Sequence, residues 1–199
     1  MLSSKYMKGV TCWMALSDSE LIYRINNGDE KAFNELIERY QNRVYNTAYR
    51  IMGNHEDALD LAQESFIRIY KNLKNFKGRS SFSTWLFRIT TNLCLDELRK
   101  RKRKPELQEE NFQNIYKEED NPERISLSRE LNQLIQEKID LLAPEQKIVF
   151  TLREFQGLSY QEIADITGIS IGTVKSRLSR ARQNLREDLN KIIGKGGLE

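Results

Sequence analysis

Residues Ala164 to Arg186 read ADITGISIGTVKSRLSRARQNLR. A short helical pattern stops at Gly168, resumes at Ile171 and then carries a hydroxyl or basic residue on almost every turn. Glycine ends a helix in left-handed backbone without steric penalty, so this spacing predicts two helices meeting at a sharp turn. Upstream, Ser159 and Glu162 form a capping-box pattern that starts the first helix, SYQEIADIT. Ile163, Ala164, Ile169, Val174 and Leu178 fall where two such helices must pack together. That leaves Thr173, Lys175, Ser176, Ser179, Arg180 and Arg182 at or near the surface. Short helix, glycine turn and longer basic helix make the helix-turn-helix pattern, whose second helix enters a DNA major groove by its N-terminal end. Hydroxyls and cations are the groups that bind base edges and phosphates. A merely solvated basic helix would need cap, glycine and one-sided polarity to coincide.

Working outward, Ala143-Pro144-Glu145 starts a preceding helix with proline where its missing N–H costs nothing, and Gly157 ends it. Helical periodicity begins further back, through Leu127, Leu131, Leu134, Ile135, Ile139 and Leu142. Between Pro105 and Arg124 the composition changes: seven acidic and two basic residues accompany few apolar groups, so this stretch cannot bury a core. Before it lie four more helical patterns. Ser17-Asp18 caps the first, and Asn27-Gly28-Asp29 ends it and caps a second running from Ala32 to Met52. After Gly53-Asn54 comes HEDALDLAQESFIRIYKNL, with Ala58, Leu61, Ala62, Phe66, Ile69 and Leu73 on one face. A loop at Lys77 to Ser81 leads to the fourth, apolar at Phe82, Trp85, Leu86, Ile89, Leu93 and Leu98 and stopped by Pro105.

The expected fold is therefore all-α: two small helical domains joined by an acidic flexible linker, the second containing the helix-turn-helix. The boundaries predicted are a disordered extension over 1–16, a first domain over 17–104, the linker over 105–125, a second domain over 126–193 and a flexible tail over 194–199. No run of β-branched residues alternates as a strand would.

Composition narrows function. The net charge of +3 says little by itself, but acid and base are segregated along the chain. Cys12 and Cys94 with the single His55 match no zinc spacing and no disulfide framework. Cys94 reads as a small buried apolar residue and His55 as a loop residue. There is no glycine-rich phosphate loop and no GxSxG nucleophile motif, so no enzyme is expected. No apolar run approaches the about 20 residues that span a bilayer, and the expected compartment is the cytoplasm.

Three segments in order, ALDLAQESFIRIYKNLKNF (58–76), FSTWLFRITTNLCLDELRKRKRK (82–104) and LAPEQKIVFTLREFQGLSYQEIADITGISIGTVKSRLSRARQNLR (142–186), closely resemble bacterial sigma factors of the extracytoplasmic-function group. The resemblance runs from about Ser17 to Leu189 and includes the domain order. It implies a factor that binds core RNA polymerase and gives it promoter specificity, with no cofactor, no small-molecule substrate and no covalent chemistry of its own. The first domain would dock on the clamp helices of the largest polymerase subunit and melt the minus-ten element. The second would place its helix-turn-helix on the minus-thirty-five element. An anti-sigma factor, in many family members membrane-anchored, is a further implied partner.

Residue roles follow from the resemblance. Asp57, Asp60, Gln63 and Glu64 match the family's DxxQExF-type segment facing polymerase, where carboxylates would pair with arginines of the clamp. Phe76 to Thr84 aligns with the minus-ten loop, and Lys77, Arg79, Ser80, Ser81, Arg88 and Asn92 are expected around the melted strand. The basic run Arg99 to Lys104 supplies phosphate contacts, Arg99, Arg101 and Lys102 foremost. At minus-thirty-five, Lys175, Ser176, Ser179 and Arg180 are expected on base edges, with Thr173, Arg177 and Arg182 on phosphates. Trp85 receives no DNA role: tryptophan opening an apolar helical stripe is more often core, and Trp85-Leu86 lacks the second aromatic of the dyad found in housekeeping sigma factors. A ligand-sensing DNA-binding regulator is the main rival, but the first domain lacks the βα alternation of a receiver.

Overall fold

The structure, a computed structural model, describes residues 16–103 and 132–195. The expectations for residues 1–15, for the acidic linker and for the last four residues lie outside the described residues.

Each helix starts where local chemistry dictates. Ser17 caps α1 (Asp18–Asn26) in a reciprocal capping box with Glu20. Asp29 accepts from the Lys31 and Ala32 amides to open α2 (Glu30–Met52), which ends at Gly53 in left-handed backbone, φ 83°. Asn54 caps α3 (His55–Asn72) through the Asp57 amide. A 3-10 turn (Leu73–Asn75) and a loop lead to α4 (Phe82–Arg103), whose Thr84 amide donates to Ser81 Oγ at 3.1 Å. Leu21, Leu36, Val44, Ile51, Ile69, Leu86 and Phe87 fill the space between these helices. Hydroxyls buried among them, Thr47, Ser65 and Thr90, donate to carbonyls one turn back, which removes the cost of burying them unpaired. Cys94 is fully buried, and burial pushes its thiol up to about 12.

In the second domain, residues 132–140 are helical (α5). Pro144 opens α6 (Pro144–Phe150), which continues through a π-helical turn, Thr151–Phe155. The sequence pattern predicts an ordinary helix as far as Gly157; the widened last turn is the difference. Gly157 takes φ 70°, and Leu158 N–H reaches back to the Leu152 carbonyl. Then come α7 (Tyr160–Thr167) and α8 (Ile171–Lys195), the latter passing the boundary expected at residue 193. Among the described residues no helix is long and apolar enough to cross a membrane.

The two domains pack directly on each other, which the periodicity of neither announces. Phe82, Leu86 and Phe87 of α4 belong to one contiguous core with Leu158, Ile163 and Ala164 of the second domain. Thr84 Oγ1 donates to Glu162 Oε1 at 2.7 Å, and Arg43 Nε donates to Gln156 Oε1 at 3.1 Å. The Arg50 guanidinium lies 3.6 Å above the Phe155 ring. Gln136 Nε2 donates to the Arg50 carbonyl at 3.4 Å.

Candidate nucleic-acid and polymerase interfaces

The turn between α7 and α8 is built as its residues require. Gly168 adopts φ 70° and returns its N–H to the Ala164 carbonyl at 2.8 Å. Ser170, a cap missed by the sequence reading, accepts from the Thr173 amide at 3.1 Å and opens α8. The signal was present, since a serine directly before the first helical residue is an N-cap pattern. Val174, Leu178 and Ala181 form the buried stripe of α8, and Val174 and Leu178 share one core with Ile163 and Ile166 of α7. Opposite them Lys175, Ser176, Ser179, Arg180 and Arg182 are exposed, with Thr173 and Arg177 half-buried. Three of these side chains are occupied: Thr173 Oγ1 shares a hydrogen bond with Ser170 Oγ at 2.9 Å. Arg182 is paired with Glu154 on the π-helical turn, 2.5 Å away, which holds the guanidinium above its ordinary pKa; Ser176 Oγ donates to the Thr173 carbonyl. Lys175 Nζ and the Arg153 guanidinium flank the Tyr160 ring at 5.8 and 5.0 Å.

The start of α7 depends on Ser159. Its Oγ accepts from the Glu162 amide at 3.2 Å, and Glu162 accepts from the Ser159 amide at 2.9 Å. These bonds, the Ser159 amide first and the Thr84 hydroxyl next, hold the Glu162 carboxyl below its ordinary value. Ser159→Ala should cost about 0.5–2 kcal/mol. Equilibrium denaturation reads this directly, and an unchanged midpoint would mean that packing alone fixes the helix start.

In the first domain the loop before α4 presents Lys77 and Arg79 to solvent, with Ser80 half-buried. Ser81 is exposed, but its hydroxyl is shared with Ser83 and Thr84 at 3.0 and 2.7 Å. Phe76, Phe82 and Trp85 form an aromatic cluster with centroids 5.1–6.0 Å apart. Trp85 is therefore a half-buried wall of the core. Phe87 is fully buried beneath the Arg43 guanidinium, 4.9 Å from its ring, and presents no stacking face. Arg88 is half-buried, its Nε without a hydrogen-bond partner among the described residues, and Asn92 is exposed.

The basic end of α4 is less free than its sequence implies. Arg99 pairs with Asp96 at 3.2 Å and Lys100 with Glu97 at 3.2 Å. Arg101 pairs with Asp57, a residue expected at a different partner, and also approaches Glu97 at 3.5 Å. Lys102 and Arg103 are exposed and make no ion pair among the described residues.

On α3, Asp60 and Gln63 are exposed, while Glu64 accepts from Arg68 Nε at 2.7 Å. Asp57 is half-buried, held by Arg101 and Asn54. Beside Gln63 an apolar groove of about 450 Å³ runs between α2 and α3, walled by Phe33, Ile37, Phe66, Ile67 and Tyr70. Ile67 and Tyr70, 40% and 53% exposed, lie off the buried stripe of α3, as does Leu59. Sequence reasoning missed this surface. Its signal was the apolar residues outside the i, i+3, i+4 register, the kind of exposed patch that marks a protein contact.

The family profile of sigma-70 region 2 matches residues 36–104, and that of sigma-70, region 4, matches residues 132–185. The ECF RNA polymerase sigma-E factor of Salmonella typhimurium is 40% identical over 186 residues, covering 89% of this chain and 97% of that protein. The chain belongs to the ECF sigma factors. Among solved structures, the Bartonella quintana sigma factor RpoE in complex with the anti-sigma factor NepR is 26% identical, covers 80% of this chain and 98% of its own, and superposes with a TM-score of 0.68. CnrH in complex with the cytosolic domain of CnrY is also 26% identical, with coverages of 87% and 97% and a TM-score of 0.63. This sigma factor binds core RNA polymerase and directs transcription initiation, its region 2 on the minus-ten element and its region 4 on the minus-thirty-five element. It is a non-enzymatic initiation factor.

Proposed function

We propose that this sigma factor reads the minus-thirty-five element with Lys175, Ser176, Ser179 and Arg180 on base edges and with Thr173, Arg177 and Arg182 on the flanking phosphates. One observation carries the reading: directly after the glycine turn, Lys175, Ser176, Ser179, Arg180 and Arg182 are exposed on α8 away from its buried Val174–Leu178–Ala181 stripe, with half-buried Thr173 and Arg177 at the edge of that stripe. Arg182 must exchange Glu154 for a phosphate to take part. At the minus-ten element Lys77, Arg79, Ser80, Ser81, Arg88 and Asn92 surround the melted strand, and Lys102 neutralises phosphate. Arg99 and Arg101 contribute only by leaving their carboxylates. Asp60, Gln63 and Glu64 dock on polymerase, with the apolar groove between α2 and α3 as the adjoining surface and Asp57 bracing α3 through Arg101.

The solved relatives bound to NepR and CnrY support an anti-sigma protein as the regulatory partner. The compartment is the cytoplasm, where core polymerase and promoter DNA are available.

Tethered cleavage tests the minus-thirty-five assignment. In a C12S background, an iron-chelate reagent is coupled to Ser176→Cys; Cys94 stays unlabelled because it is buried. The holoenzyme is placed on a promoter found by run-off transcription from genomic fragments. Cuts centred on the minus-thirty-five element are expected. Cuts elsewhere would remove the reading from α8.

A further inference from the structure

We propose that Gly172, in the first turn of α8, is a specificity-determining residue of region 4: its missing side chain is the space into which a base-pair edge of the minus-thirty-five element fits. The inference rests on the assignment of α8 to that element and adds a residue which that assignment does not include.

Elimination within the protein is the first argument. A glycine is ordinarily explained by a backbone that side chains rarely adopt, or by a neighbour that leaves no room for a Cβ. Gly168, in the turn just before α8, meets the first explanation with φ 70°. Gly53 meets the second, because a Cβ there would lie 3.0 Å from Asp140 Oδ1. Gly172 meets neither. It lies within the helix Ile171–Lys195, apart from the glycines of positive φ. A Cβ on it would touch only Ser170 Oγ, at 3.8 Å, an ordinary van der Waals distance. The cap makes no demand either, since Ser170 holds the Thr173 amide through its hydroxyl and the Val174 amide through its carbonyl. Alanine is the better helix former at such a position, because glycine loses more conformational freedom on folding. Among the described residues nothing offsets that cost, so the reason for the glycine lies in a partner.

Position identifies the partner. Residues three and four apart share a helix face, which puts Gly172 in the row of Lys175, Ser176 and Ser179. All of these are exposed, and Val174, Leu178 and Ala181 are buried on the other side. Every Cα–Cβ bond of a helix tilts towards its N-terminus, so a methyl group at 172 would project ahead of Lys175 and Ser176. It would lead the helix at the end that enters the major groove first. The polar groups behind it must come within about 2.7–3.2 Å of their acceptors and donors to form hydrogen bonds. A methyl group that holds the helix off the base edges prevents that approach. With hydrogen alone at 172, the backbone itself can lie against a base pair.

The test is G172A, made in the full chain and assembled with core polymerase. Thermal denaturation reads the free protein, fluorescence titration reads core binding, and anisotropy reads holoenzyme binding to a promoter found by run-off transcription. G172A should melt at, or about 1–3 °C above, the wild-type temperature. It should bind core polymerase as wild type does. Its holoenzyme should nevertheless bind the promoter about tenfold more weakly, the scale on which an extra methyl group disrupts a close-packed contact. Across single-base variants of the minus-thirty-five element, that deficit should shrink at about one or two adjacent base pairs, where a different edge withdraws from the methyl group. A lower melting temperature would make Gly172 a structural glycine. Wild-type promoter affinity would mean that nothing fills the space, and weaker core binding would mean that polymerase does. An equal deficit on every variant would put the sugar–phosphate backbone there. Each of these results overturns the assignment. The reading of α8 fails separately: iron-chelate cuts from Ser176→Cys that miss the minus-thirty-five element refute it. Cuts at the element, beside a G172A holoenzyme of wild-type affinity, refute only the role of Gly172.

Discussion

Replacing Asp140 by alanine is expected to destabilise the folded chain by about 3–5 kcal/mol, the largest single-site effect anticipated outside the apolar core. Lys147 Nζ lies 2.6 Å from Asp140 Oδ1, and the two side chains are only 11% and 21% exposed. Gln136 Nε2 donates to the same oxygen at 3.2 Å, and the α-carbon of Gly53 in region 2 leaves so little room that a Cβ there would lie 3.0 Å from it. Removing the carboxylate strands the ammonium among buried groups, whereas removing both charges does not. D140A/K147M should therefore recover much of the loss, since an apolar replacement of similar length needs no counter-charge. Denaturant titration of the two single variants and the double variant gives the coupling energy. The exposed Arg99–Asp96 pair supplies the contrast, because pairs in solvent contribute about 0–1 kcal/mol. If D140A cost no more than that, the Lys147 site would have to be hydrated and the pair would carry little of the stability.

The features legible in the sequence are those decided within a turn or two of chain. Ser17 with Glu20 and Ser159 with Glu162 form the capping boxes their spacing predicts, and Gly53, Gly157 and Gly168 take the left-handed backbone that ends each helix. Cys94 is buried as a small apolar residue. His55 is less well read as a loop residue. It opens α3, and its Nδ1 lies 2.8 Å from the Tyr45 hydroxyl, a partner supplied by the neighbouring helix. The same distinction explains the remaining differences. Arg101 and Asp57 have no sequence relation that foretells their ion pair; it depends on how α4 crosses the start of α3. Lys147 reads as a solvated charge and is buried because α5 delivers Asp140 to it. The domain packing includes the contact of Arg43 with Gln156, 113 positions apart, and no periodicity encodes a contact of that range. Polarity on α8 was legible because one helix carries both its buried stripe and its exposed face. The occupation of Arg182 by Glu154 was not, because the acid comes from the π-helical turn.

Arg180→Ala should lower holoenzyme affinity for its cognate promoter by about 1–3 kcal/mol, roughly five- to 150-fold, and should do so selectively. Arg180 is exposed on α8, two residues beyond buried Leu178, and makes no ion pair among the described residues. Its guanidinium is free to take a bidentate position on a guanine edge, and a base pair read in that way is the only one whose substitution the variant should cease to sense. Arg182→Ala should cost less, because wild-type Arg182 must first leave Glu154. Lys102→Ala provides the opposite signature. Lys102 stands exposed at the end of α4, and loss of one phosphate contact should weaken binding equally on every promoter while reducing the slope of log affinity against log salt by about 1. Affinities measured across single-base promoter variants at several salt concentrations separate the two behaviours. Selective loss with Arg180→Ala beside uniform loss with Lys102→Ala assigns sequence reading to α8 and charge neutralisation to α4. Uniform loss in both would leave α8 as an electrostatic clamp and require the upstream bases to be read by other residues or through DNA shape.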